Sequence, residues 1–261
     1  MLSHTPRYSY RMNQLGEVIC QLRFPEILAI ASEPPVAFQE AIREEYPVFL
    51  RRQDTPPPKI SGIPGQFRLD NPPAIINYQF TSADGVWRVN LTSTFVSLTC
   101  TRYSSWEEFA ARLDRPLAAF IQIYKPAFFQ RVGLRYLNFI SRSDLHLDGV
   151  PFSQLISPCY LGPLGEDDIC ETTVTRCTVD AEIGLRGGCR AKIHAGPGLL
   201  KRFGTQDKET KFILDLDLFI PGQLAVNLSA GALQTLHTNA GLLFRCAITD
   251  KLHEAMEPDI L

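Results

Sequence analysis

Two arginines four residues apart are the first candidates for chemistry. Arg131 and Arg135 flank Val132-Gly133-Leu134, with Asn138 beyond. In a strand the two share one face, where they could grip a carboxylate or phosphate in bidentate fashion. Gly133 between them leaves room for a ligand or a second backbone. The plainer reading pairs both arginines with acids such as Asp215 or Asp217. Those acids stand in KFILDLDLFI, again on one face. Clustered oxygens attract hard cations, but two carboxylates without further ligands make a weak metal site. The run Glu166-Asp167-Asp168 reads as a solvated acidic loop.

The segment GLRGGCRAKIHAGPGLLKRFGTQDKETK is the most basic. It carries Arg186, Arg190, Lys192, Lys201, Arg202, Lys208 and Lys211 against Asp207 and Glu209. Its glycines at 184, 187, 188, 196, 198 and 204 predict a mobile hairpin. Such a loop can wrap phosphate through backbone amides and side chains. No nucleotide-binding glycine motif stands here between a strand and a helix.

Other chemistry is thin. The histidines are His4, His146, His194, His237 and His253. None is paired at helical spacing, and no Cys/His cluster has zinc spacing. His237 is expected at the edge of the core. No Gly-x-Ser-x-Gly nucleophile motif occurs. No residue is assigned a catalytic role, and no cofactor or metal is expected. Tyr78, Trp87, Tyr103, Trp106 and Tyr136 could stack bases on a sheet face. Aromatics at strand positions more often serve a core.

The chain that must position these residues is long enough for a sizeable core, at 261 residues. A hydrophobic share of 45% against 21% charged residues describes an ordinary globular protein. A net charge of −2 gives no overall field for nucleic acid or acidic membrane. Seven cysteines without a Cys-x-x-Cys predict reduced thiols in a cytoplasmic protein. The first residues lack a signal-peptide core, and no apolar run suits a membrane span.

Alternation in GEVICQLRF predicts a strand, and VAFQEAIREEY a helix at about 35–50. RRQDTPPPKISGIPG reads as a stiff exposed loop. Four β segments follow: Gln66–Leu69, Ala74–Thr81, Val86–Leu91 and Phe95–Arg102. Ser105 then opens a helix, with Glu108 completing a capping box. Phe109, Leu113, Leu117, Phe120 and Tyr124 form its apolar stripe. Pro116 lies within it and Pro126 beyond it. In the second half, strands are expected at Val132–Ile140, Asp168–Thr178, Val179–Leu185, Cys189–His194 and Lys211–Phe219. A short helix is expected at Pro151–Ile156 and a long one at Leu228–Met256. Thr249-Asp250 breaks its stripe and suits a cap for a separate last turn. Residues 1–12 read as a loose arm, and the tail from Pro258 as frayed or docked on a partner.

The element order therefore appears twice. The fold class is α+β: duplicated β-α-β4-α units at 1–128 and 129–261, within one continuous domain. A curved antiparallel sheet would carry two long helices on one face, in the TATA-binding-protein-like or helix-grip manner. The other face would be an open surface or a cavity.

Several stretches carry a family resemblance. They are EVICQLRFP, FQEAIREEYP, WRVNLTSTFVSLTCTRYSSWEEF, RVGLRYLNFI and LQTLHTNAGLLFRCAITDKLHEAM. Together, in this order, the chain resembles a sporadically distributed prokaryotic family of uncharacterised proteins of about 260 residues. It departs from that family at Asn13-Gln14-Leu15-Gly16, where a proline-proline entry is usual. The resemblance implies a fold and a length but no catalytic residues, and its sporadic distribution suggests a defence or toxin-control system. The leading expectation is a non-enzymatic module that uses the exposed sheet face and the 186–211 loop to engage a protein partner. The alternatives are nucleic-acid binding through the sheet face and the 186–211 loop, or a cavity in which Arg131 and Arg135 anchor a small anion.

Overall fold

Val18, Cys20 and Leu22 are fully buried at alternate positions of one strand, and that pattern builds the sheet. The computed structural model describes residues 6–55, 59–63, 66–70, 74–202 and 205–260. The strands run β1 (Tyr8–Tyr10), β2 (Leu15–Arg23), β3 (Val48–Asp54), β4 (Lys59–Ile63) and β5 (Gln66–Asp70). Next come β6 (Ile75–Thr81), β7 (Trp87–Leu91), β8 (Phe95–Cys100), β9 (Phe129–Ile140) and β10 (Val179–Gly184). The last are β11 (Arg190–Gly198), β12 (Lys201–Arg202), β13 (Thr205–Gln206), β14 (Lys211–Leu224) and β15 (Pro258–Ile260). The helices are α1 (Leu28–Ser32), α2 (Val36–Ile42), α3 (Trp106–Tyr124), α4 (Ser229–Ala247) and α5 (Asp250–Ala255).

Nine strands form one antiparallel sheet in the order β10-β11-β14-β9-β2-β8-β7-β6-β3. The fold is α+β. At the centre, β2 pairs with both β8 and β9. One face is apolar: Val89, Leu98, Cys20, Leu134, Leu216 and Ile193 come from six successive strands and are all buried. α3 and α4 cover that face. Phe120 of α3 meets Phe24, and Phe109 meets Trp87, while α4 packs on β9 and β14. One packed face and one polar face is the usual economy of an antiparallel sheet.

The Ser105 and Thr249 caps form where the sequence predicts them. Ser105 accepts the Glu108 amide at 3.1 Å. The Glu108 carboxylate accepts the Ser104 hydroxyl instead of the Ser105 amide, so the expected capping box does not form. Phe109, Leu113, Pro116 and Phe120 are buried, and Lys125 ends α3 in the left-handed conformation. Thr249 caps α5 by accepting the Leu252 amide. Its hydroxyl also donates to the Gln154 carbonyl at 2.8 Å, which fixes the break after α4.

Four expectations need correction. The helix at 35–50 ends at Ile42; of the expected loop, RRQD belongs to edge strand β3 and KISGI is β4, which pairs with β5 in a separate hairpin outside the nine-stranded sheet. Every residue of β3 is exposed, so no alternation marks it. The segment 151–178 holds short 3-10 turns rather than a helix and a strand, the last of them at Glu171–Thr173. Arg142 organises it: its guanidinium meets Glu171 at 2.9 Å and lies over the Phe152 ring at 4.1 Å. The arm and the tail, β1 and β15, pair with each other. The prolines at 56–58 lie outside the described residues. Among the described residues, no helix is long and apolar enough to cross a membrane. The seven cysteines are unpaired, and Cys20, Cys100, Cys177 and Cys189 are buried.

Candidate functional site

The polar face of the sheet holds most of the candidate residues. On β9, Arg131, Gly133 and Arg135 project to it while Val132 and Leu134 face the helices. Each arginine leans along the strand to an acid on β14. Arg131 Nη2 donates to both oxygens of Asp217 at 2.7 and 2.8 Å. Arg135 Nε donates to Asp215 at 2.7 Å, and its Nη2 makes a second bond to the same carboxylate. Hydrogen bonds to Asp215, followed by the surrounding carboxylates, raise the Arg135 pKa above its ordinary value despite burial.

Gly133 makes this pairing possible. A Cβ there would lie 2.2 Å from Arg131 Nη1. The space foreseen for a ligand is filled by the protein's own guanidinium, which stacks over Phe219 at 4.5 Å on its way to Asp217. Gly133→Ala should therefore push Arg131 off Asp217 and cost about 1–2 kcal/mol. Denaturation of this variant, of Arg131→Ala and of the double variant checks it. The two losses should not add, because both remove one contact.

The lattice continues outward. Arg190 and Lys192 of β11 approach Glu182 of β10 at 3.4 and 4.0 Å. His194 Nδ1 lies 2.7 Å from Asp180. Asp180, Glu182, Lys192 and His194, with Arg135, Asp215 and Asp217, line an open concavity of about 500 Å³. Towards the other edge, Arg88 lies 3.6 Å from Glu17. Asn77 and Asn90 are buried on the same face, and each keeps one carboxamide oxygen without a protein partner. Arg23 is the exception: it stands opposite Arg131 on the neighbouring strand and takes part in no ion pair among the described residues.

The remaining candidates separate. Asn138 has the opposite parity, is buried, and donates to the Leu214 carbonyl at 3.0 Å, so it does not join the arginines. Arg186 sits in the β10–β11 turn, where Gly187 and Gly188 adopt positive φ of 71° and 72°. The side chains of Lys201 and Arg202 lie outside the described residues. The basic segment is thus no single loop. Arg190 and Lys192 belong to the sheet, and Gly196 and Gly198 lie inside β11. Among the described residues no group of three or more His, Cys, Asp or Glu side chains could hold a metal ion.

The aromatic residues singled out in the sequence sit on the helix side. Tyr78, Trp87 and Tyr136 are buried in the core. His237 of α4 stacks on Trp106 at 4.6 Å and meets the Tyr136 hydroxyl through Nδ1 at 2.8 Å. Arg7 donates to its Nε2 at 2.9 Å. Burial, and secondarily the charge of Arg7, lowers the His237 pKa to about 4. The unfolded chain gains this proton near pH ~6.5, the native state only near 4. Stability from this group is therefore complete above ~6.5 and declines as pH falls towards 4. An NMR titration should find the His237 ring neutral at pH 5.5.

No protein-family model matches the chain, and no curated protein matches it.

Proposed function

We propose that the chain is a non-enzymatic binding module that engages a protein partner through the polar face of its sheet. One observation carries this reading: most charges of that face are already neutralised across strands, with Arg23 and Arg52 left outside any ion pair among the described residues. Arg131 meets Asp217, Arg135 meets Asp215, Arg190 and Lys192 meet Glu182, and Arg88 meets Glu17. Phosphate binding needs uncompensated cations, because counterion release supplies its affinity. A small-anion site needs a guanidinium with free donors aimed outward. Pre-paired charges instead offer fixed donors and acceptors, which suit the polar contacts of a protein interface. The aromatic candidates Tyr78, Trp87, Tyr103, Trp106 and Tyr136 lie on the other side of the sheet, with the helices.

We also read the fold as two fused β-α-β4-α units in the TATA-binding-protein-like manner. The strand order supports it: β2-β8-β7-β6-β3 on one side answers β9-β14-β11-β10 on the other. Each run starts at the centre with the first strand that its half gives to the nine-stranded sheet, and in each half a long helix follows the last of those strands. The second half lacks an outermost strand, and 3-10 turns replace its first helix. Seven unpaired cysteines suit the cytoplasm. The defence or toxin-control setting rests on the family resemblance.

Affinity capture from the native host tests the reading. Wild-type protein should retain a stoichiometric partner, and the charge swap Arg135→Asp with Asp215→Arg should lose it. Recovery of no partner overturns the proposal. A mobility shift with DNA or RNA at low salt, abolished by alanine at Arg186, Arg190, Lys201 and Arg202, would favour the nucleic-acid alternative.

A further inference from the structure

The two edges of the nine-stranded sheet are built differently. At one edge, β10 alternates Asp180 and Glu182 with half-buried Val179, Ala181 and Ile183. Charged side chains on a short edge strand discourage further pairing. At the other edge, β3 pairs with β6 alone. Three consecutive apolar residues stand open there: Val48, Phe49 and Leu50 are 54%, 43% and 53% exposed. Arg51 and Arg52 follow, both exposed, and neither makes an ion pair among the described residues. Elsewhere on the sheet the arginines of β7 and β9 stand beside acids.

We propose that β3 is a docking edge for an extended acidic-apolar segment of the protein partner, which adds as a tenth strand. This rests on the reading of the chain as a protein-binding module. Alternate residues of an antiparallel edge turn their N–H and C=O groups outward, and an added strand satisfies them. Val48, Leu50 and Arg52 project to the polar face, while Phe49 and Arg51 project to the helix side, where Phe49 packs on Phe80 at 5.4 Å. The incoming strand therefore needs acidic side chains at two successive positions, one for each arginine, and apolar residues beside Val48–Leu50. A second copy of this chain fits poorly. Antiparallel self-pairing centred on Arg51 sets that arginine against itself, and like charges directly opposite are destabilising. Centred on Leu50 it sets the arginines against Phe49 and Val48 and gives them no acid. Centred on Gln53 it joins Arg52 to Asp54 but would set Val48–Leu50 against three prolines, which lack the N–H a ladder needs.

The test uses the full chain and a short capped peptide with the core Glu-Glu-Val-Ile-Val, beside a control in which lysines replace the glutamates. Hydrogen exchange should slow at the β3 amides with the acidic peptide and stay unchanged with the control. Arg51→Glu with Arg52→Glu, both at exposed positions that leave the fold intact, should weaken peptide binding at least about tenfold, or ~1.4 kcal/mol. No protection at millimolar acidic peptide, equal protection by the lysine peptide, or indifference to the double reversal each overturns the proposal. A concentration-dependent dimer abolished by the reversal also overturns it, in favour of a second copy. If a captured partner survives the β3 reversal but is lost on the Arg135/Asp215 swap, the edge proposal fails and the protein-binding reading stands.

Discussion

Gly196→Ala should cost more than ~3 kcal/mol, or prevent the protein from accumulating in folded form. Gly196 lies inside β11, and the chain entering β10 crosses directly over it. A Cβ at Gly196 would stand 2.4 Å from the Cys177 carbonyl oxygen and 3.3 Å from the Thr178 Cα. Both are backbone atoms, so no side chain can swing aside. Either β11 shifts within a ladder that pairs it with β10 and β14, or the segment at 177–178 moves. Overpacking in a close-packed site costs typically ~1–3 kcal/mol when side chains adjust, and more when backbone must move. Two neighbours calibrate the result. At Gly198 the added methyl meets the tip of Ile213 at 2.6 Å, which can rotate, so the loss should be about 1 kcal/mol. At Gly184 it meets nothing within 4 Å, and the change should lie within ~0.5 kcal/mol. Denaturant unfolding of the three variants should rank them in that order. Equal losses at Gly196 and Gly184 would refute the crossing.

Glu209→Ala should cost about 2–3 kcal/mol, which for a chain of this size lowers Tm by roughly 5–10 °C. The Glu209 carboxylate closes the turn before β14 onto the end of β9. One oxygen accepts the hydroxyls of Ser141 and Ser143 at 2.7 and 2.6 Å. The other accepts the amides of Arg142 and Ser143 at 2.7 and 3.2 Å. Burial acts to raise this carboxyl's pKa, but the four donors outweigh it and hold it below the ordinary glutamate value. A depressed carboxyl stabilises the fold above its unfolded pKa, ~4.3, and that contribution is lost as pH falls through the folded value. The gap between wild type and Glu209→Ala should therefore be full at pH 7 and close in acid. Glu209→Gln should fall between them, because the serine hydroxyls can rotate to accept from an amide while the backbone donors keep one oxygen. A gap independent of pH would show that the carboxylate charge is not what holds this junction.

Much of the candidate site was legible in the sequence through parity. Arg131 and Arg135 on one face, and Asp215 and Asp217 on one face of another strand, follow from a two-residue period. Their pairing followed from charge. The use of Gly133 did not, because a glycine between two arginines reads equally as room for a ligand or room for a neighbour. Which of these occurs depends on where Phe219 and Asp217 fall across the strand boundary, and that is a matter of register.

By itself the sequence determined the elements with a strong period or a chemical stop. The alternating strands of the central sheet, the Ser105 cap, the apolar stripes of α3 and α4, and the break at Thr249 are local. They depend on residues within a few positions of one another. Tertiary structure alone decided β3, whose seven residues are exposed on both faces and leave no pattern. It also decided the path of 151–178, held by Arg142 and Glu171 from distant positions, and the roles of Gly196 and Glu209. Such contacts join segments far apart in the chain, and their energy exists only once the sheet has brought those segments together.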